Sequence, residues 1–298
     1  MNHDVAVYVG RFQPFHNGHL ALLQRALALA PLCIVVIGSA NQARTPKNPF
    51  TAAERAEMIS QALSAPDRAR VRFLPVRDRY DQARWVAAVR QGVAEIVAAE
   101  GRPAHSRVVL VGHFKDATSE YLRGFPGWVA ESVERYAVAD GTQLRNTLFA
   151  GAAAALGPTL AAMATQVPRS TIDFLREWMR QPHFERLAQE WRMLDEYHAA
   201  WASAPYPPVF VTVDAVVRCA GHVLLIRRAH APGAGLYAVP GGFIEQRETA
   251  YQSCVRELKE ETHLDVTNET LRACLKSNAV FDHPDRSLRG RTITHAFF

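Results

Sequence analysis

The first half of the chain alternates short apolar runs with segments of helical periodicity. The runs are rich in β-branched residues and predict strands at Val5–Val9, Leu32–Ile37, Val71–Leu74 and Val108–Val111. Leucines repeat at helical spacing after the first run, Thr51 and Glu54 have the spacing of a capping box that opens a second helix, and residues 82–100 form a third helical segment. Alternating strands and helices imply βαβ units, and therefore a parallel sheet with right-handed crossovers.

The pattern changes after Arg169. Two helical stripes follow, separated by Pro182, with apolar positions at Ile172, Leu175, Met179, Phe184, Leu187, Trp191 and Leu194. The proline-rich segment 202–208 is incompatible with a regular helix. From Val209 onward the segments "VFVTVDAVVR" and "HVLLIRR" flank a Cys-Ala-Gly turn and predict a hairpin, followed by a glycine-rich loop and a charged helix. We therefore expect two α/β modules joined by a helical connector.

Composition narrows the class of protein. Of the 298 residues, 48% are hydrophobic and 21% charged, which is typical of a soluble globular chain. No apolar run approaches the roughly 20 residues that span a bilayer, the start of the chain does not resemble a signal peptide, and the four cysteines are scattered. These features predict a cytoplasmic protein with no membrane partner.

The formal charge of +5 is mildly basic, but lysine and arginine form no block and do not alternate with aromatic residues. We therefore expect anionic small molecules as partners, and no nucleic acid. The sequence does not determine the oligomeric state, and a homo-oligomer is one of the assemblies it allows.

The stretch "GRFQPFHNGH" directly follows the first predicted strand. Ligands of an open parallel sheet bind beyond the carboxyl ends of its strands. We expect Gly18 to open a helix whose free backbone N–H groups attract phosphate. His16 and His19 can donate to phosphate oxygens, and they add positive charge if the site holds them protonated. A pair of surface histidines beside a turn glycine is the alternative; neither a P-loop lysine nor a Ser-His-Asp order is present.

This stretch resembles the (H/T)xGH signature of the nucleotidyltransferase superfamily, in the form typical of nicotinamide mononucleotide (NMN) adenylyltransferases. Members of that family carry a second phosphate-binding element, Ser-x-Thr-x-x-Arg, which "ADGTQLRNTLF" matches through Thr142 and Arg145, with Asp140 in place of serine. The resemblance covers residues 4–165. It extends to the segments "RTPKNPFTAAERAEMI", "RWVAAV" and "VGHFKDATSEYLRGFPGW".

The resemblance implies a Rossmann-like domain that transfers AMP from ATP to NMN, giving NAD and pyrophosphate, with Mg²⁺ as cofactor. His16, His19 and Arg145 would be the catalytic residues. The residues that would contact ATP are Gly10, Arg11, Phe12, Gly18 and Thr142. Trp85 would stack on the nicotinamide ring or, alternatively, pack in the core, and Asn48-Pro49-Phe50 would shape the pocket or pack a loop. The alternative is a nucleotidyltransferase that acts on a phosphorylated acceptor other than NMN.

The segment "GGFIEQRETAYQSCVRELKEETHL" carries a second set of candidate residues. Glu257, Glu260 and Glu261 lie at positions i, i+3 and i+4 and share one side of a helix. Carboxylates this close repel one another, and a hard divalent cation such as Mg²⁺ or Mn²⁺ relieves the repulsion. Arg256 is spaced to pair with Glu260. A merely solvated helix face is the alternative.

With Gly242, Glu248 and Arg256, these glutamates resemble the Nudix box, G-x5-E-x7-R-E-U-x-E-E-x-G-U. His263 replaces the box's second glycine, and histidine adopts a left-handed conformation less readily than glycine. The resemblance implies a Nudix α/β/α sandwich that binds a metal ion through Glu257, Glu260 and Glu261.

The fusion of both modules resembles the bifunctional adenylyltransferase/Nudix proteins of NAD metabolism. Their second domain hydrolyses ADP-ribose to AMP and ribose 5-phosphate, for which phosphate or ribose contacts are expected at Arg286, Arg289 and Arg291. The expected domains are 1–165, a connector at 166–208, and 209–298. Because the chain ends on the apolar segment "THAFF", we expect the Nudix domain to be incomplete. A catalytically inactive, ligand-sensing Nudix module is the alternative.

Overall fold

The computed structural model describes residues 3–113, 124–133, 140–151 and 156–298. The chain forms two compact units, Met1–Gln189 and Glu190–Phe298. Within the described ranges, no helix combines the length and the apolar character that crossing a membrane requires. The predicted domain boundaries at residues 165 and 208 stay predictions.

The first unit contains a five-stranded sheet in the order β3-β2-β1-β4-β5, in which every neighbouring pair is parallel. Its strands are β1 (Val5–Gly10), β2 (Leu32–Ile37), β3 (Val71–Pro75), β4 (Val108–Gly112) and β5 (Val129–Ser132). The predicted Rossmann-like α/β class is confirmed, and so are four of the strands. Because the order reverses between β1 and β4, the carboxyl ends of these two strands form the switch point where such sheets bind ligands.

Helices cover both faces of this sheet. They are α1 (Asn17–Leu29), α2 (Ala52–Gln61), α3 (Ala65–Ala69), α4 (Gln82–Ala99), α5 (Gly141–Ala150), α6 (Leu156–Met163), α7 (Arg169–Trp178) and α8 (Pro182–Ala200), of which the last extends into the second unit. Valines of α4 pack on one face, against alternate residues of the strands such as Val7 and Ile34. Both α1 and α2 contact β2.

The helical connector belongs in part to the first unit. Pro182 begins α8, where its missing N–H costs no helical hydrogen bond. The predicted apolar stripe is buried at Leu175 and Leu187. Helix α7 packs against α2, and its Trp178 ring lies 4.6 Å from the Phe50 ring. The first part of the connector thus supports the segment that precedes α2.

The second unit is rich in short strands. They are β6 (Val209–Ala215), β7 (Arg218–Cys219), β8 (His222–Val223), β9 (Ile226–Arg227), β10 (Tyr237–Ala238), β11 (Gly241–Phe243), β12 (Asn278–Phe281) and β13 (Arg291–Phe297). Helices α9 (Ala250–Thr262) and α10 (Asn268–Cys274) follow β11. The main sheet has the order β11-β6-β13-β12, and α9 buries Cys254 and Leu258 against Val213 and Phe297.

The predicted hairpin is present around its turn but much shorter than predicted. Strands β7 and β8 pair antiparallel around Ala220 and Gly221, both of which have positive φ, and the N–H of Leu224 donates to the backbone oxygen of Val217 at 2.9 Å. Strand β6 instead pairs antiparallel with β11 and parallel with β13. Both edges of β6 are therefore occupied, which leaves the apolar side chains Val223 and Leu225 exposed.

Candidate active sites

The predicted phosphate loop lies at the switch point of the first sheet. It follows β1 and ends at His16, whose extended backbone makes it the N-cap residue of α1. The helix therefore begins at Asn17, one residue before the predicted Gly18. The first turn of α1 lies at the carboxyl edge of the sheet, where an anion is expected. Two of its N–H groups are not free as predicted, because Asn17 donates to the backbone oxygen of Gln166 at 2.9 Å and His19 donates to Nδ1 of His16.

His16 and His19 cap this helix reciprocally. The backbone N–H of His19 donates to Nδ1 of His16, and the backbone N–H of His16 donates to Nδ1 of His19, both at 3.3 Å. The two rings stack with centroids 3.5 Å apart. This arrangement is a capping box in which imidazoles replace the usual hydroxyl and carboxylate.

The caps determine the tautomers of the two rings. A neutral imidazole has one donor and one acceptor nitrogen, so accepting at Nδ1 leaves the proton on Nε2. Burial, followed by the charges of His16, His113 and Arg11, lowers the pKa of His19 well below its ordinary value of 6.5. The site therefore disfavours the protonated form of His19, so this ring does not add the positive charge that protonation would give it. In the neutral form each ring therefore carries its proton on Nε2.

The glycines and Phe12 give the two rings their positions. A Cβ on Gly18 would lie 3.2 Å from the His16 ring, and one on Gly10 would lie 2.6 Å from the Phe12 ring. Phe12 has a φ of 52° and is 1% exposed, and its ring packs edge-on to His19 at 5.0 Å. The structure thus places Phe12 underneath the histidines. We assign Gly10, Phe12 and Gly18 a supporting role, and their contact with ATP stays a prediction.

The second predicted phosphate element reaches the same loop. Arg145 Nη1 donates to the backbone oxygen of Gln13 at 2.7 Å, and its Nη2 donates to Oγ1 of Thr142 at 3.0 Å. Asp140 caps α5 by accepting from the N–H of Thr142 and Gln143, so the replacement of serine preserves the start of the helix. The structure therefore brings Arg145 and Thr142 together with the histidine loop.

Cations dominate this site. Burial and the nearby Arg11 lower the pKa of Arg145 to about 10, which leaves it charged at neutral pH. Arg11 is exposed. Its charge also lowers the pKa of His19 and that of the buried Arg55. Three arginines around one loop create a positive potential that suits a polyphosphate.

Sequence reasoning missed Gln13. Its side-chain amide donates to the backbone oxygen of Phe50 and accepts from the Phe50 N–H, both at 2.9 Å. It thereby ties the histidine loop to the Asn48-Pro49-Phe50 segment, whose Phe50 is 2% exposed and packs as a loop anchor. A single polar residue inside the otherwise apolar stretch "FQPF" was the available signal.

Trp85 lies near the start of α4, on the same carboxyl edge of the sheet. The ring is partly buried against the sheet core and meets Phe125 edge-on at 5.9 Å. This placement combines core packing with partial exposure, and stacking on a nicotinamide ring stays a prediction. Residues 114–123 of the family-like segment Val111–Trp128 lie outside the described residues.

In the second unit, Arg256 organises the predicted carboxylates. It donates from Nε to Glu248 at 3.1 Å and from Nη1 to Glu257 and Glu260 at 2.8 and 3.1 Å. The hydroxyl of Ser253 and Arg256 together lower the pKa of Glu248. The predicted pairing of Arg256 with Glu260 is present, and the same guanidinium also contacts Glu257 and Glu248.

Gly242 and Glu261 connect α9 to the sheet. A Cβ on Gly242 would lie 2.5 Å from the Glu257 carboxylate, so only glycine lets this carboxylate approach β11 so closely. Glu261 accepts from the N–H of Gly241 at 2.9 Å. In the described residues, no three acidic, histidine or cysteine side chains converge as a preformed metal site.

The donor set nevertheless fits a divalent cation. Glu257, Glu260 and Glu261 supply hard carboxylate oxygens from adjacent turns of one helix, and each carboxylate has an oxygen with which no protein group pairs at the distances above. The three glutamates are the residues that would hold the metal.

His263 ends α9 in the left-handed conformation expected of the replaced glycine. Its φ is 53° and its N–H donates to the backbone oxygen of Lys259 at 2.8 Å. The helix terminus is therefore preserved in spite of the substitution, at a cost of about 1 kcal/mol relative to glycine.

The three arginines near the end of the chain have different surroundings. Arg286 and Arg291 donate to the backbone oxygens of Phe281 and Asp282. Arg289 lies over the Phe243 ring, with its guanidinium carbon 5.4 Å from the centroid. Their contacts with phosphate or ribose stay predictions.

Comparison with known proteins supports both modules. The model of the cytidylyltransferase-like family matches residues 7–115, and the model of the NUDIX domain matches residues 208–298. The chain is 36% identical over 193 residues to the nicotinamide/nicotinic acid mononucleotide adenylyltransferase of Acinetobacter baylyi, covering 64% of this chain and 95% of that protein. It is 37% identical over 123 residues to the nicotinamide-nucleotide adenylyltransferase of Ignicoccus hospitalis, covering 41% and 70% respectively.

A solved structure aligns with nearly the whole chain. It is the bifunctional NMN adenylyltransferase/ADP ribose pyrophosphatase of Francisella tularensis, complexed with AMP and a Mn ion. The alignment has a TM-score of 0.87 and 33% identity, and it covers 99% of this chain and 84% of that chain. Both units and their order are thus shared with one relative, and the chain belongs to the family of bifunctional NMN adenylyltransferase/ADP ribose pyrophosphatase proteins.

Proposed function

We propose that this chain is an enzyme of NAD biosynthesis. Its first unit transfers AMP from ATP to NMN, giving NAD and pyrophosphate, and its second unit hydrolyses ADP-ribose to AMP and ribose 5-phosphate. The observation that carries the first activity is the capped pair His16/His19 at the switch point, joined through Gln13 to the buried Arg145. Full-length similarity to a bifunctional relative supports the second.

The first site catalyses adenylyl transfer by positioning the two substrates and stabilising the negative charge of their phosphates. The phosphate of NMN attacks the α-phosphorus of ATP in line, and pyrophosphate leaves, so that positioning and charge stabilisation supply most of the catalysis. The Nε2–H groups of His16 and His19 donate to phosphate oxygens as charge develops on them. Arg145, with Thr142 at the start of α5, holds the β- and γ-phosphates, and Arg11 assists.

Glu257, Glu260 and Glu261 would hold Mg²⁺ or Mn²⁺ in the second site, with Arg256 and Glu248 orienting these carboxylates, and the ion would supply Lewis acidity toward the diphosphate. In the first site, Mg²⁺ bound with the nucleotide would neutralise charge on the pyrophosphate. Trp85 provides a ring for stacking on the nicotinamide.

Two assays on the full chain test the proposal. Incubation with ATP, NMN and Mg²⁺ is expected to yield NAD and pyrophosphate, and incubation with ADP-ribose and Mg²⁺ or Mn²⁺ is expected to yield AMP and ribose 5-phosphate, both followed by chromatography. Nicotinate mononucleotide in place of NMN measures acceptor preference.

Each assay has a variant that serves as control for the other. His19→Ala is expected to lower NAD formation by at least about a hundredfold, the usual effect of removing one transition-state donor, and to leave ADP-ribose hydrolysis unchanged. Glu261→Gln should do the reverse. Near-normal NAD synthesis by a folded His19→Ala variant would contradict the first assignment, and hydrolysis that survives in Glu261→Gln would contradict the second.

A further inference from the structure

Arg55, in the first turn of α2, is the largest fully buried side chain of the described residues. It is 1% exposed. Its guanidinium and Nε donate only to backbone carbonyls, those of Arg11 at 2.8 Å, Gly38 at 2.6 Å, Ser39 at 3.2 Å and Thr51 at 3.1 Å. One side chain thus joins the segments that follow β1 and β2 to the N-cap of α2.

The charge of Arg55 has no direct counter-charge. Among the residues that the structure describes, no carboxylate lies within ion-pair distance of it. The nearby Asp78 accepts from Ser39 and Gln42 instead. Burial lowers the pKa of Arg55 to about 10, so the group remains a cation at neutral pH. Burying a cation without an ion-pair partner is costly, and strongly perturbed ionisable groups cluster at functional sites.

Carboxylates and a cation both act on Arg55 without pairing with it: the charges of Asp78 and Glu54 raise its pKa, and the charge of Arg11 lowers it. Arg11 lowers the pKa of both Arg55 and Arg145, so the charge of Arg11 acts on both buried guanidinium groups. In the free protein these like charges repel one another. A bound polyphosphate would reverse that balance, because each cation would then face negative charge.

We propose that Arg55 is a positioning residue for the polyphosphate of the nucleotide, which it serves by fixing the backbone of Arg11 and by placing a permanent positive charge behind the phosphate site. The inference rests on the proposed adenylyl transfer. It adds a residue that touches no substrate and yet determines how tightly the anionic part of the substrate binds.

Binding of inorganic tripolyphosphate and of adenosine to the full chain, measured by calorimetry, separates charge from base recognition. We expect Arg55→Met to weaken tripolyphosphate binding about tenfold, which corresponds to about 1.4 kcal/mol, and to leave adenosine binding unchanged. Arg55→Lys keeps the charge but offers fewer donors. It should bind tripolyphosphate within about twofold of wild type while kcat/KM for ATP falls about tenfold, because the Arg11 backbone is less well held.

Arg70 provides the matched control. Its guanidinium also donates to backbone carbonyls, those of Leu27, Ala30 and Pro31, at the amino end of β2 and away from the phosphate loop. Arg70→Met should lower stability without changing tripolyphosphate affinity. Unchanged affinity in a folded Arg55→Met variant, or an equal loss in Arg70→Met, overturns the proposal.

If Arg55→Met is not recovered folded, Arg55→Lys provides the test of the positioning role. A kcat/KM for ATP equal to that of wild type in this variant overturns the role. Failure of the proposed function is distinguishable, since it appears as absence of NAD formation by the wild type, whereas tripolyphosphate binding needs no acceptor.

Discussion

Replacing His16 by asparagine separates two roles that its imidazole combines. Nδ1 accepts the backbone N–H of His19 and caps α1, whereas Nε2 carries the proton that we assign to a phosphate oxygen. Asparagine is a good N-cap residue and retains the first role, but its amide does not extend to the position of Nε2. Alanine removes both, and glutamine restores a donor near the position of Nε2.

The structure sets the magnitudes. The cap hydrogen bond is 3.3 Å long, which is beyond the usual range for such bonds, so we expect the cap to contribute about 0.5–1 kcal/mol. His16→Asn and His16→Ala lose the same stacked ring, and their difference isolates the cap. In a domain of this size the difference corresponds to a Tm about 1–4 °C higher for the asparagine variant.

Activity should follow a different order from stability. Loss of one preorganised donor lowers kcat about 10²–10³-fold, so the asparagine and alanine variants should be equally slow and the glutamine variant faster than both. Steady-state NAD formation at saturating ATP and NMN, together with thermal unfolding, measures both quantities. A fast asparagine variant would refute the assignment of Nε2 to phosphate, and equal Tm values for asparagine and alanine would refute the capping role.

Three further predictions concern single residues. The pKa of His19 lies well below 6.5 in the folded chain, so below pH 6.5 the unfolded chain binds a proton that the folded chain does not. The free energy of unfolding should therefore fall as the pH drops below 6.5, by up to about 1.4 kcal/mol per pH unit. Urea titrations at several pH values should give a smaller change of this free energy with pH for His19→Gln than for wild type, and equal changes would contradict the pKa shift. Gly18→Ala places a Cβ 3.2 Å from the His16 ring and should lower kcat about tenfold, whereas the control Gly157→Ala, which meets no atom within 4 Å, should not; equal activities would argue against the role of Gly18. His263→Gly relieves a φ of 53° and should stabilise the second unit by about 1 kcal/mol with unchanged ADP-ribose hydrolysis, as measured by calorimetry; a destabilised variant would show that the histidine ring makes a compensating contact.

Local patterns in the sequence were sufficient for most of the first unit. Apolar runs located β1 to β4 within one or two residues, because β1, β2 and β4 are largely buried on both faces and β3 still has an apolar run, whereas the largely exposed β5 has no such run and was missed. The Thr51–Glu54 capping box is present as predicted. Reciprocal capping by His16 and His19 is equally local, but histidine is not among the preferred cap residues, so the spacing indicated phosphate binding and not helix initiation.

Long-range pairing explains what the sequence did not reveal. The hydrogen bonds of Gln13 to Phe50 and of Arg55 to Arg11 join residues 37 and 44 positions apart, and no periodicity encodes them. The same reason explains why the hairpin is shorter than predicted. Strand β6 resembles the first strand of a hairpin, yet its parallel partner β13 lies near the other end of the unit, where register depends on the whole sheet.

The two candidate sites bind anionic substrates with side chains of opposite charge: arginines line the first and glutamates line the second. In the first, Arg11, Arg55 and Arg145 form no ion pair within the described residues, and the carboxylates that act on them, Asp78, Glu54 and Asp140, offset their charge only from a distance. In the second, Glu257 and Glu260 share one guanidinium, that of Arg256, and a diphosphate approaching them meets net negative charge unless a divalent cation lies between. We therefore expect EDTA to abolish binding of ADP-ribose to the second unit while tripolyphosphate still binds the first. The ADP-ribose binding that wild type shows and Glu261→Gln lacks is the part assigned to the second unit. Loss of both binding events on chelation would contradict this assignment of charge.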